Sequence, residues 1–328
     1  MLNREKNQRN LYSDLLDSLI KKDHPYVRLL ELIDFSSFCK DLHDCYSEET
    51  GCYGYPIETA FKCIFLQQFE DVSDRKMENY LRYDLSAKYF CGMGLLDQTP
   101  DHSFFGRVRK RIGVARMVTL FNSVIKQLED KKIVSNVFHF VDSTAITTKI
   151  SLWEEYDKAH AKEHPKSLCN ENISKYAVDK DARIGCKGKN KFWFGYKRHQ
   201  RVDMVSGVIT KIKITPANGS DPKSGKEILP DSGMVFADKA YDTEEFLTAL
   251  KEKGLHSGVI KKNNRKDKNR DKDRWVSSMR MPFEGLFSKA DKRIPYIGIA
   301  KVEFHQTLDA FAQNFKRLIK MGCEIRIT

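Results

Sequence analysis

Apolar residues follow two different periods in the two halves of the chain. From Leu11 to about Ile125 they recur every three or four positions, as in "IETAFKCIFLQQF" and "MENYLRYDLSAKYF", and this spacing predicts a string of amphipathic helices. Asp101, in "TPDHSFFGRVRKRIG", stands where it can cap one further helix. We therefore predict a helical amino-terminal domain over residues 1–126.

Short apolar runs replace the helical repeat from Val137 onward. "VFHFVDST", "GMVFAD" and "HSGVI" each predict one strand, and "KFWFGYKRHQRVDMVSGVITKIKIT" predicts two strands that turn at Ser206-Gly207. Helices are expected at about 223–229, 243–253, 282–289 and 300–321. This order predicts an α+β or α/β domain over 137–322, whose mixed sheet has an antiparallel hairpin on one side and parallel crossovers on the other. A polar insertion at about 149–190 is predicted to be partly helical up to Lys162 and loop-like after His164.

Two of these strands are predicted to end in aspartate, at Asp142 and Asp238. Ligands of such sheets gather at the carboxyl ends of the parallel strands, so neighbouring strands would bring the two carboxylates together. Pro282 is predicted to open a helix that places Glu284 in its first turn, near the same edge. Carboxylates 4 Å apart repel by about 4 kcal/mol per pair at an effective dielectric near 20. A hard cation such as Mg²⁺ relieves this repulsion.

Each of these acids also has a structural alternative. Asp142 suits a cap at the end of its strand, and Glu284 suits a surface salt bridge with Arg280. Tyr241 is expected to be a packing residue. Asp242 is expected to cap the following helix, with Glu245 completing a capping box.

The charge balance points to a polyanionic partner. The chain has 57 Lys and Arg against 45 Asp and Glu, a formal charge of +12 and a pI near 9.1, which favours nucleic acid. Four cations, Arg107, Arg109, Lys110 and Arg111, stand within five residues of the predicted basic helix. The run "KKNNRKDKNRDKDR" over 261–274 predicts a mobile basic loop, either a solvated linker or a segment that follows DNA. No run of eighteen apolar residues occurs, so we expect a soluble, cytoplasmic protein with reduced cysteines.

Several motifs together resemble the DDE transposases of bacterial insertion sequences, specifically the insertion-sequence-five type. The segment from "YPIETAFKCIFLQQF" to "PDHSFFGRVRKRIG" is similar to that family's helical amino-terminal domain. "FVDSTAI", "GYKRHQRVD", "TPANGSD" and "ADKAYD" match four blocks of its catalytic domain, and Arg280, Glu284 and Phe287 match the last block. The resemblance covers nearly the whole chain.

The resemblance implies a ribonuclease-H-like domain that excises and inserts a DNA element by cutting at its terminal inverted repeats. Asp142, Asp238 and Glu284 would be the catalytic carboxylates and the ligands of two Mg²⁺ ions, with Mn²⁺ as a substitute. Double-stranded DNA would be the partner, held by a homodimer. Candidate DNA contacts are Arg107, Arg109, Lys110, Arg111, Lys197, His199, Lys239 and Arg280. For His199 a structural role, and for Lys239 a surface salt bridge, remain open alternatives.

Two other functions fit the same residues. A catalytically inactive or domesticated relative would bind DNA without cutting it. A metal-dependent nuclease would use the same carboxylates without joining strands.

Overall fold

The computed structural model describes residues 16, 18–46, 54–148, 160–161, 164–168, 177–187, 191–288, 293–322 and 327. The chain divides into two compact units, one formed by residues 1–127 with 311–328 and the other by Leu128–Ala310. Within the described residues, no helix has the length and apolar character needed to cross a membrane.

The first unit is helical, as the sequence pattern predicts. Its helices are α1 (Pro25–Leu32), α2 (Phe35–Phe38), α3 (Ile57–Phe69), α4 (Asp74–Tyr83), α5 (Leu85–Phe90) and α6 (His102–Asp130), the last of which reaches into the second unit. The carboxylate of Asp101 accepts a hydrogen bond from the Phe104 N–H at 3.0 Å, so α6 begins at the predicted cap. Gly113, with φ +72°, interrupts the helical geometry of α6.

Aromatic side chains form the core of the first unit. Phe35 lies edge-on to Phe65 and Phe90, with ring centroids 5.9 and 5.5 Å apart. The final helix of the chain, α10 (Ile299–Lys320), adds Phe311 and Phe315 to this cluster, at 5.8 Å from Phe38 and 5.7 Å from Phe65 respectively. This packing explains why residues from 311 onward group with the helical unit, although the sequence boundary placed them in the second domain up to 322.

The second unit contains the mixed sheet. Its strands are β1 (Phe138–Thr148), β2 (His160–Ala161), β3 (His164–Leu168), β4 (Arg183–Lys187), β5 (Lys191–Asp203), β6 (Ile209–Pro216), β7 (Met234–Ala237), β8 (His256–Val259) and β9 (Arg293–Ile294). β1, β5 and β6 pair antiparallel in turn, while β7 joins the other edge of β1 in parallel and β8 joins β7 in parallel. β2 and β3 form a separate pair. The strand order is β4-β5-β1-β7-β8, with β6 paired to β5. It joins an antiparallel hairpin to parallel strands, which is the mixed sheet that the sequence pattern predicted.

The helices of this unit connect its strands. They are α7 (Asp221–Glu227), α8 (Glu244–Glu252), α9 (Arg270–Ser288) and the first half of α10. The hairpin between β5 and β6 turns at Gly207, whose φ of +73° suits glycine, as expected for that dipeptide.

The polar insertion differs from its prediction. β3 and β4 are strands in a stretch predicted to be loop-like, and His160–Ala161 is a strand where helix was expected. Residues 149–159 lie outside the described part. β4 pairs with β5 in the register Ile184↔Phe194 and Gly185↔Trp193. A Cβ on Gly185 would lie 2.6 Å from the Trp193 ring, so glycine is required for this close approach. The same glycine weakens the apolar pattern by which β4 could have been predicted.

A buried ion pair attaches α10 to the sheet within the second unit. The Arg198 side chain on β5 is fully buried, pairs with Asp309 and donates a hydrogen bond to Gln306 at 2.9 Å. A buried charge is costly once its partner is removed, because the remaining ion has lost its compensation.

Arg198→Met is therefore expected to lower the free energy of unfolding by about 3 kcal/mol, since it leaves Asp309 without its buried cation. The matched control is Lys213→Met, which removes the cation of an exposed pair with Glu227 and should cost less than about 1 kcal/mol. Urea unfolding followed by circular dichroism measures both. Equal losses in the two variants would contradict the assigned role of the buried pair.

Candidate functional site

The register of two parallel strands brings Asp142 and Asp238 side by side. β1 and β7 pair from Phe138↔Met234 to Val141↔Ala237. The residues that follow this last pair, Asp142 and Asp238, therefore lie at the same level of the sheet. Neighbouring strands lie about 4.8 Å apart. Asp142 does not end its strand, contrary to the prediction, because β1 continues against β5 as far as Thr147. The strand that ends at this point is its parallel partner β7, whose last residue is Ala237.

Both aspartates face the side of the sheet that α9 covers. Side chains alternate along a strand, so Asp142 shares a face with Phe140, and Asp238 continues the face of Phe236. Two rings of α9 lie on this face: Phe287 is 4.8 Å from Phe140, and Trp275 is 5.7 Å from Phe236, between ring centroids.

α9 begins at Arg270, twelve residues before the predicted start at Pro282. The Asn269 side chain accepts hydrogen bonds from the N–H groups of Asp271 and Lys272, both at 3.0 Å, and so caps the helix. Pro282 lies inside α9, and Glu284 is therefore far from its first turn.

The three residues that match the last sequence block of the transposase family share one face of α9. Arg280, Glu284 and Phe287 are separated by four and three positions, the spacing that aligns side chains on a helix. Phe287 is buried against the sheet, while Glu284 is exposed.

The three predicted carboxylates line a single cleft of about 530 Å³, which we call the carboxylate cleft. Its charged lining consists of Asp142, Asp221, Asp238, Glu284, Lys187 and Lys197. In the part of the chain that the structure describes, no three acidic, histidine or cysteine side chains are grouped so that they could hold one metal ion. Glu284 thus borders the same space as the aspartate pair without completing a three-ligand set.

The pKa of Asp142 is raised to about 6, mainly by burial and to a smaller extent by the nearby charge of Asp238. The Ser143 N–H, which donates to the Asp142 carboxylate at 2.8 Å, and the Arg280 guanidinium both oppose this shift. The ionised form of Asp142 is therefore held at a cost, and a bound cation would relieve it.

Arg280 pairs with Asp238 rather than with Glu284, the partner considered from the sequence. Its guanidinium lies 3.7 Å from the Asp238 carboxylate and 4.9 Å from the centre of the Phe140 ring. The side chain is 7% exposed. Arg280 is therefore a fixed positive charge in the wall beside the aspartate pair.

Asp221 and Lys187 contribute to the cleft, although neither was assigned a role from the sequence. The ammonium of Lys197 donates to the Asp221 carboxylate at 3.0 Å and to the Gly219 carbonyl at 2.9 Å. The signal for Asp221 was present in the "TPANGSD" block, whose final residue begins α7.

His199 is placed as a structural residue, the alternative considered from the sequence. It is fully buried, and its Nε2 lies 2.9 Å from the Thr215 hydroxyl. Its pKa is lowered to about 4, mainly by burial, which outweighs the opposing charge of Asp221 and is helped by the positive charge of Lys197. The ring is therefore neutral at pH 7. A neutral, buried imidazole offers little attraction to phosphate.

Tyr241 is buried and packs against Phe246, which agrees with its expected packing role. Asp242 does not cap α8, contrary to the prediction, because the Thr243 hydroxyl accepts the Phe246 N–H instead. The Asp242 carboxylate accepts from the Lys262 N–H at 2.8 Å and from the Arg265 guanidinium at 3.1 and 3.2 Å. Although burial acts to raise the pKa of Asp242, these donors hold it below its usual value.

The four cations of α6 have different surroundings. Arg109 pairs with Asp74 at 2.5 Å and donates to Gln67 at 2.9 Å, so this side chain joins three helices of the first unit. Arg107 and Lys110 are exposed. Arg111 is also exposed and lies over the Tyr46 ring, 4.4 Å from its centre.

The aspartate pair suits a hard divalent cation. Both carboxylates are oxygen donors on the same face of the sheet. The burial that raises the pKa of Asp142 also makes a compensating cation favourable there. Glu284 would supply a third oxygen ligand from α9 after its side chain turns toward the pair.

Two family models match the chain over most of its length. Residues 14–111 match the model "Transposase domain (DUF772)", and residues 138–303 match "Transposase DDE domain". The chain belongs to the DDE transposase family. The second match contains the sheet, the aspartate pair and Glu284.

One curated transposase is similar in sequence to part of this chain. Over 148 residues the chain is 33% identical to "Transposase for insertion sequence element IS1106" from Neisseria meningitidis serogroup B, a match that covers 42% of this chain and 51% of that protein. The chain thus spans about half the length of this relative.

Two solved structures have weaker similarity. The piggyBac transposase synaptic complex with hairpin DNA has a TM-score of 0.39 at 10% identity, covering 98% of this chain and 78% of the other. The Mos1 transposase paired-end complex with the left transposon end has a TM-score of 0.20 at 8% identity, covering 94% and 92%. Similarity at this level defines no detail of the site.

The transposase should become more stable at neutral pH when Asp142 is replaced by Asn, provided that metal is removed with EDTA. The folded pKa of this acid, about 6, lies above its ordinary 3.8, so ionisation costs stability as pH rises through that window. Asp142→Asn should gain about 2 kcal/mol at pH 7.5 and nothing below pH 4.

Urea unfolding at the two pH values measures this gain. Asp231→Asn, at a fully exposed position, is the matched control and should change nothing. A loss of stability in Asp142→Asn at pH 7.5 would show that the carboxylate is not under electrostatic strain.

Proposed function

We propose that this transposase cuts DNA at the terminal inverted repeats of a mobile element and joins the freed end to target DNA. Asp142, Asp238 and Glu284 would bind two Mg²⁺ ions, for which Mn²⁺ would substitute. The observation that carries the proposal is the in-register aspartate pair, which faces the helix that bears Glu284. We further propose that it acts as a homodimer on double-stranded DNA in the bacterial cytoplasm.

When bound, the two ions would stabilise the attacking and leaving oxygens of an in-line displacement at phosphorus. The chain's own residues prepare the site for this reaction. Asp142 would bind from strand β1, Asp238 from the position directly after β7, and Glu284 from α9. Arg280 offsets part of the charge of Asp238 and, through its contact with Phe140, holds α9 against the sheet.

Lysines on the cleft wall would attract the phosphate to be attacked. Lys187 is exposed on β4, and Lys197 is held toward the cleft by Asp221. In the first unit, Arg107, Lys110 and Arg111 are exposed and suit contacts with the phosphates of the element's ends. Arg109 is excluded from this set because its guanidinium already binds Asp74 and Gln67.

An inactive DNA-binding relative is the second candidate, favoured by one observation. Among the described residues, Glu284 does not form a metal-holding group with the two aspartates. If Glu284 cannot reach the pair, the basic surfaces would still bind DNA while cleavage is lost.

Cleavage of a labelled duplex that carries the element's end tests the proposed reaction. In Mg²⁺ the wild type should nick the DNA at the element boundary and then join the freed 3′-hydroxyl to a second duplex. Asp238→Asn should reduce nicking by at least about 1,000-fold, because it removes a ligand that the transition state requires. Binding of the same DNA should persist. Denaturing gels resolve the nicked and joined products.

Asp231→Asn is the control and should retain full nicking. Nicked products that are never joined would identify a nuclease without strand transfer. Binding without nicking in every lane, including the wild type, would favour the inactive relative and overturn the proposal.

Thermal unfolding gives a measure of metal binding that is independent of activity. A ligand that binds only the folded state adds about 1.4 to 2.7 kcal/mol at ten to one hundred times its dissociation constant. Mg²⁺ should therefore raise the midpoint of the wild type and of Asp231→Asn, but not of Asp142→Asn or Asp238→Asn. An equal rise in all four proteins would show that the ion binds elsewhere.

A further inference from the structure

A second cleft lies beside the carboxylate cleft and shares Asp238 with it. We call it the basic cleft, because six cations line its volume of about 560 Å³ and only Asp238 and Asp273 oppose them. The six are Lys239, Lys261, Lys268, Arg270, Arg274 and Arg280. A surface of this composition attracts a ligand that carries several negative charges.

The wall of the basic cleft is built by internal hydrogen bonds and not by a free linker. After β8, the Lys261 N–H donates to the Asp273 carboxylate at 3.2 Å. The Lys268 ammonium donates to the Lys261 carbonyl at 3.2 Å and to the Asn263 side chain at 2.6 Å. The segment predicted to be a mobile basic loop therefore has defined contacts up to Asn269, and from Arg270 onward it is helix α9.

Part of the positive charge is left for a ligand. Within the described part of the chain, the side chains of Lys239 and Arg270 have no acidic partner within 4 Å. Arg274 lies 3.7 Å from Asp271, but both side chains are more than four-fifths exposed, and such pairs contribute little. By contrast, Lys261 and Lys268 are paired with Asp267 and Asp273.

The positions of these cations suit a row of phosphates. Arg270 and Arg274 are one helical turn apart on α9, a rise of about 6 Å, and Lys239 directly follows Asp238 in the chain. Because Arg280 pairs with Asp238, Arg274 and Arg270, six and ten residues earlier on α9, lie progressively farther along the helix from that acid. A positively charged groove that follows the backbone is a typical binding site for a single strand.

We infer that the basic cleft holds the single DNA strand that continues from the phosphate at the aspartate pair. This inference rests on the proposed function, because it assumes that DNA is the substrate of the carboxylate cleft. The cations would bind the sugar-phosphate backbone without reading its sequence. Their role is to keep the strand in line with the carboxylates.

Salt-dependent binding, measured in EDTA so that no cleavage occurs, tests the inference. The test variant is the triple substitution Lys239→Gln, Arg270→Gln and Arg274→Gln. The matched control is Lys180→Gln, Lys253→Gln and Lys301→Gln, which removes three exposed cations of the same unit that line neither cleft. Arg280 is left intact because it pairs with Asp238 of the candidate metal site.

Two fluorescent probes are compared by anisotropy. One is a blunt duplex of the element's end, and the other has a six-nucleotide single-stranded extension on the strand to be cut. Each phosphate contact on a single strand contributes about 0.7 to the slope of log affinity against log salt. The test variant should therefore lose about 2 from the slope on the extended probe and bind it about 10- to 100-fold more weakly. Both variants should bind the blunt probe like the wild type.

Three results would overturn the inference: an unchanged slope in the test variant, equal losses on the two probes, or equal losses in the test and control variants. Unfolding midpoints of both variants, compared with that of the wild type, show whether the fold is retained. Because binding is measured without metal, the result is separable from the proposed chemistry. If the wild type never nicks DNA but the test variant still loses salt dependence on the extended probe, the inference about the basic cleft is supported and the proposed transposition reaction is not.

Discussion

The parallel register that pairs Val141 with Ala237 is the constraint on which the candidate site depends. It places two acids at one level of adjacent strands, and the strand pleat turns both toward α9. A slip by one residue would send one carboxylate to the opposite face, which is filled by apolar residues of the core beneath α8. Hydrogen bonding along both edges of β1 fixes the register, so the position of the acids follows from the sheet. The fold thus bears the cost of burying an acid beside a like charge, and the raised pKa of Asp142 follows mainly from that burial.

The sequence predicted the fold class and the central strands because their apolar periods are clear. The boundaries were wrong where charge or glycine concealed the pattern. The start of α9 was predicted at Pro282, although Asn269 caps the helix thirteen residues earlier. The prediction failed because a helix whose first turn is almost entirely charged has no apolar stripe there. β4 was missed because Gly185 is needed for close packing against Trp193 and contributes no apolar signal. In both cases tertiary packing, which a local pattern does not contain, decides the structure.

The site was predictable in its residue types and less so in its pairings. Asp142, Asp238 and Glu284 do line one cleft, but the partner of Arg280 is Asp238 and not Glu284. The four-residue spacing of Arg280 and Glu284 on α9 suggested that these two side chains pair, since they lie on one helix face. Arg280 pairs with Asp238 instead, because its guanidinium packs against the Phe140 ring of the sheet and so lies next to Asp238. Asp221, which holds Lys197, was not identified because its role depends on how α7 sits against β5.

The excess positive charge is not equally available to DNA. Arg198 and Arg109 are engaged in ion pairs within their own units, so they support the fold rather than a ligand. The cations that remain exposed near the aspartates belong largely to the segment after β8 and to the start of α9. Asp238 lies between this segment and the carboxylate cleft, and it borders both. One residue therefore links a region rich in acids, suited to cations, with a region rich in bases, suited to phosphates. Under the proposed function a DNA strand would meet both regions at once, because its phosphodiester would approach the metal ligands while the rest of its backbone would need positive charge.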